Sequence, residues 1–451
     1  MRKILGMLLS LTLFFYSCKE DDDDVYKTLA VTVQLEAAAG DTDPLEGVSV
    51  KLSSGVASFD ASTDGTGKAV FSVPVGIYDV TATQTRSNGG VSNIYNWTES
   101  KVAVTEQWGS ASYSGGYTGG ATGIVKMAAQ ISTTSQILIK EVFVGGTPRD
   151  DGSGAFAYDK YIVLYNNSST PANLGNMCLA IIPPFNAQAT NPFYGTDGKL
   201  SYEGQSWIPA VQGYWYFQKN VTIEPGKQIV IALANAINNT ATYSKSINFD
   251  NPEYYCTYDI EKYNNVNNYG TPAASIPSSN YLKAEKYATA NAWAISISSP
   301  GVFIFDPKGT TPSAFAADAS TTYTEAGVPL TSKKVPTDWV VDGVEGFLLN
   351  NANNKKRFTA GIDAGFVNHL NGQGYSLYRN VDKAATEAIA ANSGKLVYGY
   401  ALGTTSIGGS TDPSGINAEA SIKNGARIIY MDTNNSTNDF HLRSQASLRD
   451  K

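Results

Sequence analysis

Apolar and polar residues alternate along several short segments of this chain, and turn-forming residues separate the segments. In residues 29–38, LAVTVQLEAA, apolar side chains occupy every second position, which is typical of a half-buried strand. Residues 64–67, DGTG, lie between two runs rich in β-branched residues and predict a hairpin turn. Pro74 and Gly76 then mark the start of a further strand in VPVGIYDVTA. The first part of the chain is therefore predicted to be all-β.

A second set of strand patterns begins at Gln136. It comprises QILIKEVFVGG at 136–146, YIVLYNN at 161–167, IEPGKQIVIALANA at 223–236, GVFIFDPKG at 301–309, DWVVDGVEGF at 338–347, GYSLYRN at 374–380 and NSTNDFHLRS at 435–444. The long stretches between them, mainly 183–222, 236–292 and 380–424, are interpreted as insertions. Loops of that length in a compact domain are functional or carry structure of their own.

Composition limits the classes of protein that these patterns fit. The chain has 451 residues, of which 42% are apolar and 16% charged, so a large core is expected and wholesale disorder is not. The net charge of −7 disfavours nucleic acid as a partner. The chain holds only two histidines, His369 and His441, and neither has metal-ligand spacing. We therefore expect no metal, no cofactor and no catalytic residue, although a pair of carboxylates for glycoside hydrolysis needs no sequence motif.

The first residues have the pattern of an export signal. Arg2 and Lys3 precede an apolar stretch at 4–16, which is too short to span a bilayer comfortably. LFFYSC resembles a lipoprotein lipobox, with Phe15 at the position where leucine is usual, and this implies acylation of Cys18. An ordinary secretory signal with an incidental cysteine is the alternative.

The residues after Cys18 are strongly acidic. They resemble the surface-export signal of Bacteroidota lipoproteins, and the residues concerned are Lys19, Glu20, Asp21, Asp22, Asp23 and Asp24. An acidic run that merely keeps a tether extended is the alternative. We assign residues 1–17 to a signal peptide and 18–25 to the acylated cysteine and its tether. The resemblance implies a lipid-anchored protein on the extracellular face of the outer membrane.

Two further resemblances concern the fold. Residues 26–130 resemble the carboxypeptidase-regulatory-like domain, a prealbumin-like β-sandwich, through Pro44, Leu45, Gly47, Val50, Asp64, Gly67, Pro74, Gly76 and Tyr78. Residues 136–451 resemble the lamin-tail domain, an immunoglobulin-like β-sandwich, through Glu141, YIVLYNN, Pro225-Gly226, VDGV, GYSLYR and the NDF ending. Val163 replaces the glutamate that is typical of the YIVLYNN strand. The whole layout resembles an uncharacterised family of Bacteroidota surface lipoproteins, so we predict a mainly β chain with two sandwiches and long insertions in the second.

The insertions are unusually rich in aromatic residues. Tyrosine and tryptophan give large contact areas at low entropic cost and keep a polar end. The candidate ligand or partner surface comprises Tyr194, Tyr202, Trp207, Tyr214, Trp215, Tyr216, Tyr254 and Tyr255. A glycan or a peptide is the expected ligand. In the alternative interpretation, these side chains attach the insertions to the sandwich.

Two smaller features leave alternatives open. With Cys18 acylated, Cys178 and Cys256 remain; export would permit a disulfide between them, whereas Cys178 in an apolar strand also fits a buried free thiol. The acidic residues around RDDGSGAFAYD, Asp150, Asp151 and Asp159, are interpreted as a solvated loop rather than a calcium site, because EF-hand spacing is absent.

Three functions remain compatible with the sequence. The first is a non-catalytic accessory lipoprotein that binds a ligand, or docks on a TonB-dependent transporter, during nutrient uptake through the outer membrane. The second is a cell-surface adhesin or structural component, and the third is a secreted hydrolase. Fold alone does not decide among them.

Overall fold

The structure, a computed structural model, describes residues 27–450 except 39–40, 55–56, 89–90, 134 and 326–329. In this part of the chain the fold is mainly β, as predicted. The leader, Cys18 and the acidic run lie outside the described residues. The α-helices are α1 (Pro312–Ala317), α2 (Lys383–Glu387), α3 (Ala418–Lys423) and α4 (Ser436–Asp439). Short 3-10 helices occupy Thr118–Thr122, Asn239–Ala241, Ser278–Asn280, Ala319–Thr321, Thr337–Trp339, Ala390–Asn392, Thr405–Ile407 and Ser447–Arg449.

The N-terminal unit is a sandwich of two sheets. Its strands are β1 (Thr28–Glu36), β2 (Ser49–Ser53), β3 (Ser58–Ser62), β4 (Lys68–Pro74), β5 (Gly76–Asn88), β6 (Val91–Val104), β7 (Ile124–Ala128) and β8 (Gln130–Thr133). One sheet has the order β4-β1-β7 and the other β3-β2-β5-β6-β8. Val31, Val33 and Leu35 of β1 are buried in one core with Trp97 of β6, so the alternation in LAVTVQLEAA does mark the inward face.

The DGTG turn forms, but it does not make the predicted hairpin. The Asp64 carboxylate accepts hydrogen bonds from the backbone N–H of Thr66 (2.8 Å) and of Lys68 (3.1 Å), and Gly67 has a φ of +76°. The flanking strands β3 and β4 belong to different sheets. The turn therefore carries the chain across the sandwich, because β4 pairs with β1 instead.

The rest of the chain is built on one large sheet. Its strands and those of the small sheets around it are β9 (Ile137–Phe143), β10 (Thr147–Pro148), β11 (Ala155–Phe156), β12 (Tyr161–Asn166), β13 (Ala172–Asn173), β14 (Cys178–Ile181), β15 (Trp207–Val211), β16 (Gly213–Tyr216), β17 (Thr222–Ile223), β18 (Gln228–Ala232), β19 (Tyr255–Thr257), β20 (Tyr281–Lys286), β21 (Gly301–Phe305), β22 (Thr322–Tyr323), β23 (Ser332–Pro336), β24 (Val340–Leu348), β25 (Val367–His369), β26 (Ser376–Arg379) and β27 (Phe440–Arg443). The 12-stranded sheet has the order β25-β24-β21-β14-β16-β20-β19-β18-β12-β9-β26-β27. Strands β24 and β25 near one end contact β9 and β27 near the other. The sheet is thus rolled into a nearly closed, barrel-like body of the predicted β-sandwich type.

The insertions cover the outside of this barrel. Apolar residues within 193–214 and 303–362 form one outer core, those within 236–276 a second, and those within 381–430 a third. Strands β16, β19 and β20, which fall inside the predicted insertions, belong to the main sheet itself. Because layers cover both faces, strands such as β9 and β12 are buried along their whole length.

Candidate functional site

Three carboxylates surround one guanidinium in the interior of the barrel. Arg379 is paired with Asp342, and its Nη1 lies 3.6 Å from Asp432 Oδ1 and 3.8 Å from Asp439 Oδ2. Its Nε donates a hydrogen bond to the carbonyl of Ile139 at 2.8 Å. Asp342, Arg379 and Asp439 come from VDGV, GYSLYR and NDF, so three of the sequence motifs that carry the lamin-tail resemblance meet at one point.

This charge cluster is enclosed by protein. The four charged side chains are at most 4% exposed. Burial raises the pKa of Asp342 to about 7 and those of Asp432 and Asp439 to about 6, while Arg379 acts to lower all three. The cluster joins β9, β24 and β26 to the segment before β27, and its burial makes it a structural element.

A second buried network involves a basic segment that sequence alone indicates to be a charged turn. Arg357 is fully buried, and its Nε donates to Glu345 Oε1 at 2.9 Å. Lys356 Nζ lies 2.6 Å from the other oxygen of Glu345. Arg357 also donates to the carbonyls of Pro184 (3.2 Å) and Ser299 (3.0 Å). Arg357 therefore fastens the 183–192 loop to the barrel, contrary to the solvated turn expected.

Lys140 is a buried charge that sequence reasoning missed. Its ammonium lies 2.6 Å from Glu419 Oε1 and donates to Gln228 Oε1 at 2.6 Å. Three tyrosine rings enclose it at centroid distances of 5.5–6.0 Å, namely those of Tyr165, Tyr378 and Tyr430. The pKa of Glu419 is lowered, because Lys140 and the Tyr378 hydroxyl outweigh the effect of burial. A lysine inside the apolar run QILIKEVFV is the signal that points to such a buried pair.

Both histidines are fully buried. His441 Nδ1 lies 2.7 Å from Asn380 Oδ1, so this nitrogen carries the proton, and Nε2 accepts from the Tyr400 hydroxyl at 2.5 Å. Burial lowers the pKa of His441 to about 3, and Arg443 acts in the same direction. Burial likewise lowers the pKa of His369 to about 4, although its hydrogen bond to a backbone carbonyl opposes the shift.

Three of the eight aromatic residues predicted to form a ligand surface belong to the core. Tyr202, Tyr214 and Trp215 are each 0% exposed, so the surface interpretation is wrong for them. Tyr214 and Trp215 are buried because they lie in strand β16, which has a core on each side. The side chains of this strand alternate between an outer core (Tyr214, Tyr216) and the barrel interior (Trp215).

The other five are half-buried and lie in separate places. Tyr216 packs beside Glu285, with its hydroxyl 3.3 Å from that carboxylate. Tyr254 packs on the second outer core, and Tyr255 packs on the barrel core against Phe217. Of these five residues, Tyr194 and Trp207 lie in the segment 191–207, which leads into β15.

Tyr194 and Trp207 form a cluster with residues that sequence reasoning missed. The rings of Trp207 and Tyr323 lie 4.7 Å apart at 59°. Lys334 Nζ lies 5.4 Å from the Trp207 centroid and 6.0 Å from that of Tyr323. The Tyr194 ring faces Lys355 at 5.3 Å and Lys101 at 5.9 Å. We call these six residues, Tyr194, Trp207, Tyr323, Lys101, Lys334 and Lys355, the aromatic patch.

One loop joins the two halves of the aromatic patch. Tyr194 pairs with Leu200 in an isolated β-bridge, and Ser201 Oγ lies 3.2 Å from the Tyr323 hydroxyl. Ser201 also donates to the Glu325 carboxylate at 2.5 Å, and Tyr323 donates to the same group. The patch therefore offers ring faces, ammonium groups and hydroxyls on one surface, which is the chemistry of a binding site for a polar ligand.

The N-terminal sandwich contributes Lys101 to this patch. Lys101 has a φ of +57°, and its N–H donates to Asp79 Oδ1 at 3.0 Å. Partial burial raises the pKa of Asp79, against the effect of Lys101 and Lys356. Asn96 of the same strand, β6, donates from Nδ2 to the carbonyl of Thr433 at 2.6 Å, and this hydrogen bond joins the N-terminal sandwich to the barrel.

The two cysteines are free thiols, so of the two alternatives left open by the sequence the buried free thiol is the one observed. Cys178 and Cys256 are buried in different outer cores. Their strands β14 and β19 are separated by β16 and β20 in the main sheet, which places them about 14 Å apart at about 4.8 Å per strand. A disulfide needs Cα atoms within about 7 Å.

Other predicted features have simple structural roles. Asp150 accepts from Ser244 at 2.8 Å, whereas Asp159 is buried and accepts from Thr147 and Ser246. Asp159 is therefore not part of the solvated loop predicted. In the part of the chain that the structure describes, no group of three or more His, Cys, Asp or Glu residues is arranged to hold a metal ion. No helix there is both long and apolar enough to cross a membrane.

Comparison with known proteins shows a similarity over part of the chain. Residues 224–398 match the sequence profile of a family described as "Protein of unknown function (DUF4876)". The crystal structure of a DUF4876 family protein from Bacteroides thetaiotaomicron aligns with 91% of this chain and 94% of its own, at 19% sequence identity and a TM-score of 0.49. No curated protein matches the chain.

Proposed function

We propose that this protein is a lipoprotein of the outer membrane, anchored through Cys18 with its two sandwiches facing outward, that binds a ligand at the aromatic patch. It acts without catalysis, as an accessory protein for nutrient uptake through a TonB-dependent transporter. The leader LFFYSC and the acidic run 19–24 support the location. The observation that carries the binding role is the tilted Trp207 and Tyr323 pair with one ammonium group near both rings.

The aromatic patch is partly exposed to solvent, whereas the other polar clusters described above are buried. The Arg379 cluster, the Glu345 network and both histidines are enclosed, so a ligand from solvent does not reach them without unfolding. Trp207 and Tyr323 are partly exposed. Half-buried aromatic residues with polar neighbours are the residues that contribute most to recognition surfaces.

The binding role is tested by thermal shift on the purified chain from Lys19 onward, which contains every described residue. Neutral glycans, acidic glycans, peptides, haem and siderophores serve as probes, since a ligand of the native state raises the melting temperature. Trp207→Ala should abolish the shift. The control is Tyr398→Ala, because Tyr398 is 54% exposed and has Lys383 over its ring at 4.8 Å, but lies outside the patch. Equal loss in both variants, or no shift with any probe, would contradict the proposal.

The location is tested separately in cells. Cys18→Ala should release the protein from the membrane fraction and abolish labelling by a palmitate analogue. Replacing Asp21–Asp24 with alanine should keep the anchor but protect the protein from proteinase added to intact cells. If the alanine variant is cleaved as fast as the wild type, the acidic run is only a tether.

A further inference from the structure

We infer that the ligand of the aromatic patch is an acidic glycan, whose carboxylate or sulfate groups pair with the patch lysines. This inference rests on the proposed binding role and adds the chemical class of the ligand. Lys101, Lys334 and Lys355 all face the rings of the patch.

None of these lysines forms a salt bridge within the described part of the protein. No described carboxylate oxygen lies within 4.0 Å of their ammonium groups, whereas ten other lysines or arginines have such a partner. The Glu325 carboxylate on the patch accepts hydrogen bonds from Ser201 and Tyr323 instead. On a chain with a net charge of −7, three ammonium groups without a salt-bridge partner, two at the Tyr194 ring and one at the Trp207 and Tyr323 rings, favour an anionic ligand.

The backbone at Lys101 gives independent support. A lysine with a φ of +57° is strained, and glycine adopts this conformation without cost. Strain of this kind concentrates at functional positions, where the side chain has a role that compensates for it. Lys101 lies where the pairing of β5 and β6 shifts register, and its ammonium group is 5.9 Å from the centroid of the Tyr194 ring of the barrel.

The aromatic rings select a glycan over an acidic peptide. The Trp207 and Tyr323 rings meet at 59° with centroids 4.7 Å apart, which makes an angled apolar surface beside the hydroxyl of Ser201. The C–H face of a pyranose packs on such rings while its hydroxyl and acidic groups remain at the edge. Lys334, whose ammonium group is 5.4 Å from the Trp207 centroid and 6.0 Å from that of Tyr323, would meet an acidic group of such a sugar.

The experiment is affinity gel electrophoresis of the purified chain from Lys19 onward, with dissociation constants confirmed by calorimetry. The probes are polygalacturonate for carboxylates, dextran sulfate for sulfates, dextran as the neutral glycan and poly-glutamate as the acidic peptide. Lys101→Gly and Lys334→Gln should each weaken binding of the acidic glycan about three- to tenfold. Lys227→Gln is the matched control, because it removes the same charge from an exposed lysine in the turn before β18. Lys101→Gly should also keep or raise the melting temperature, which separates lost binding from lost folding.

Each outcome of this experiment either supports or overturns the inference that the ligand is an acidic glycan. Binding of polygalacturonate or dextran sulfate that weakens in the patch variants but not in Lys227→Gln supports the inference, and the preferred probe identifies the acidic group. Equal binding of dextran, binding of poly-glutamate alone, or binding that is indifferent to Lys101 and Lys334 overturns the inference. If Trp207→Ala still abolishes a neutral-glycan or peptide signal, the proposed binding role survives. No binding of any probe overturns both.

Discussion

Replacing Arg379 with methionine tests whether the buried charge cluster holds the barrel together. Arg379→Met keeps much of the side-chain volume but removes the one guanidinium that faces Asp342, Asp432 and Asp439. It also removes the donor to the Ile139 carbonyl. Loss of one partner from a buried ion pair costs about 3–5 kcal/mol. We expect the free energy of unfolding at pH 8 to fall by about that amount, as measured by urea denaturation with tryptophan fluorescence.

The loss should depend on pH. Burial raises the pKa values of Asp342 to about 7 and of Asp432 and Asp439 to about 6. A carboxyl group with a raised pKa contributes stability that is fully present below its unfolded pKa, near 3.8, and lost as pH rises through the folded value. Without Arg379 these pKa values should rise further. The difference between wild type and variant should therefore shrink from pH 8 to pH 5, by about 1.4 kcal/mol per pH unit for each additional proton bound.

Two comparisons make this prediction refutable. Lys383→Met breaks the exposed pair with Glu387, whose side chains are 49% and 38% exposed, and should shift the urea midpoint far less than Arg379→Met does, because solvent screens an exposed pair. Adding Asp432→Asn to Arg379→Met should restore part of the lost stability, since it removes an uncompensated negative charge. A loss below about 1 kcal/mol in Arg379→Met, or an equal loss at pH 5 and pH 8, would refute the structural role of the cluster.

Three further predictions concern the core. Trp215→Ala should lower the free energy of unfolding by about 3–5 kcal/mol, whereas Trp207→Ala should cost less than half of that, as measured by urea denaturation. Cys178 and Cys256 should resist a thiol reagent until the protein unfolds, and reducing agent should leave the melting temperature unchanged, because burial raises both thiol pKa values. Because the pKa of His441 is lowered to about 3, this residue contributes stability that is present above the unfolded pKa near 6.5 and lost as pH falls. In His441→Gln the free energy of unfolding should therefore fall less between pH 6 and pH 4 than in the wild type.

The sequence predicted strands better than it predicted their partners. Alternation in LAVTVQLEAA identified β1 and its inward face correctly, because one side of that sheet faces solvent. The DGTG turn was found, but pairing across it was not, since a turn does not determine which sheet the next strand joins. Strands β16, β19 and β20 were assigned to insertions because they are short and lie in stretches without a simple period. Their pairing is set by tertiary contacts between segments that are distant in sequence.

The candidate site was only partly visible in the sequence. Trp207 and Tyr194 stood out by their aromatic neighbours, but Tyr323 and Lys334 lie more than 100 residues further along the chain. The pairing of β15 with β23 brings Lys334 opposite Pro209, two residues from Trp207. Lys101 belongs to the other sandwich, where nothing in its sequence context indicates a contact with Tyr194. Predicting such a site from the sequence requires knowledge of the strand register and of how the N-terminal sandwich contacts the barrel.

The high aromatic content of the insertions follows largely from the layered fold. An insertion that covers a barrel must bury apolar area and also satisfy its own backbone carbonyls, and tyrosine does both. The hydroxyls of Tyr202 and Tyr214 each donate at 2.6 Å to a carbonyl of another segment, those of Arg357 and Pro312. Trp207 does not fit this explanation, because its ring remains partly exposed and has an ammonium group 5.4 Å from its centroid. Covering the barrel does not require a large ring to remain in contact with solvent, and a ligand therefore accounts best for a tryptophan at this position.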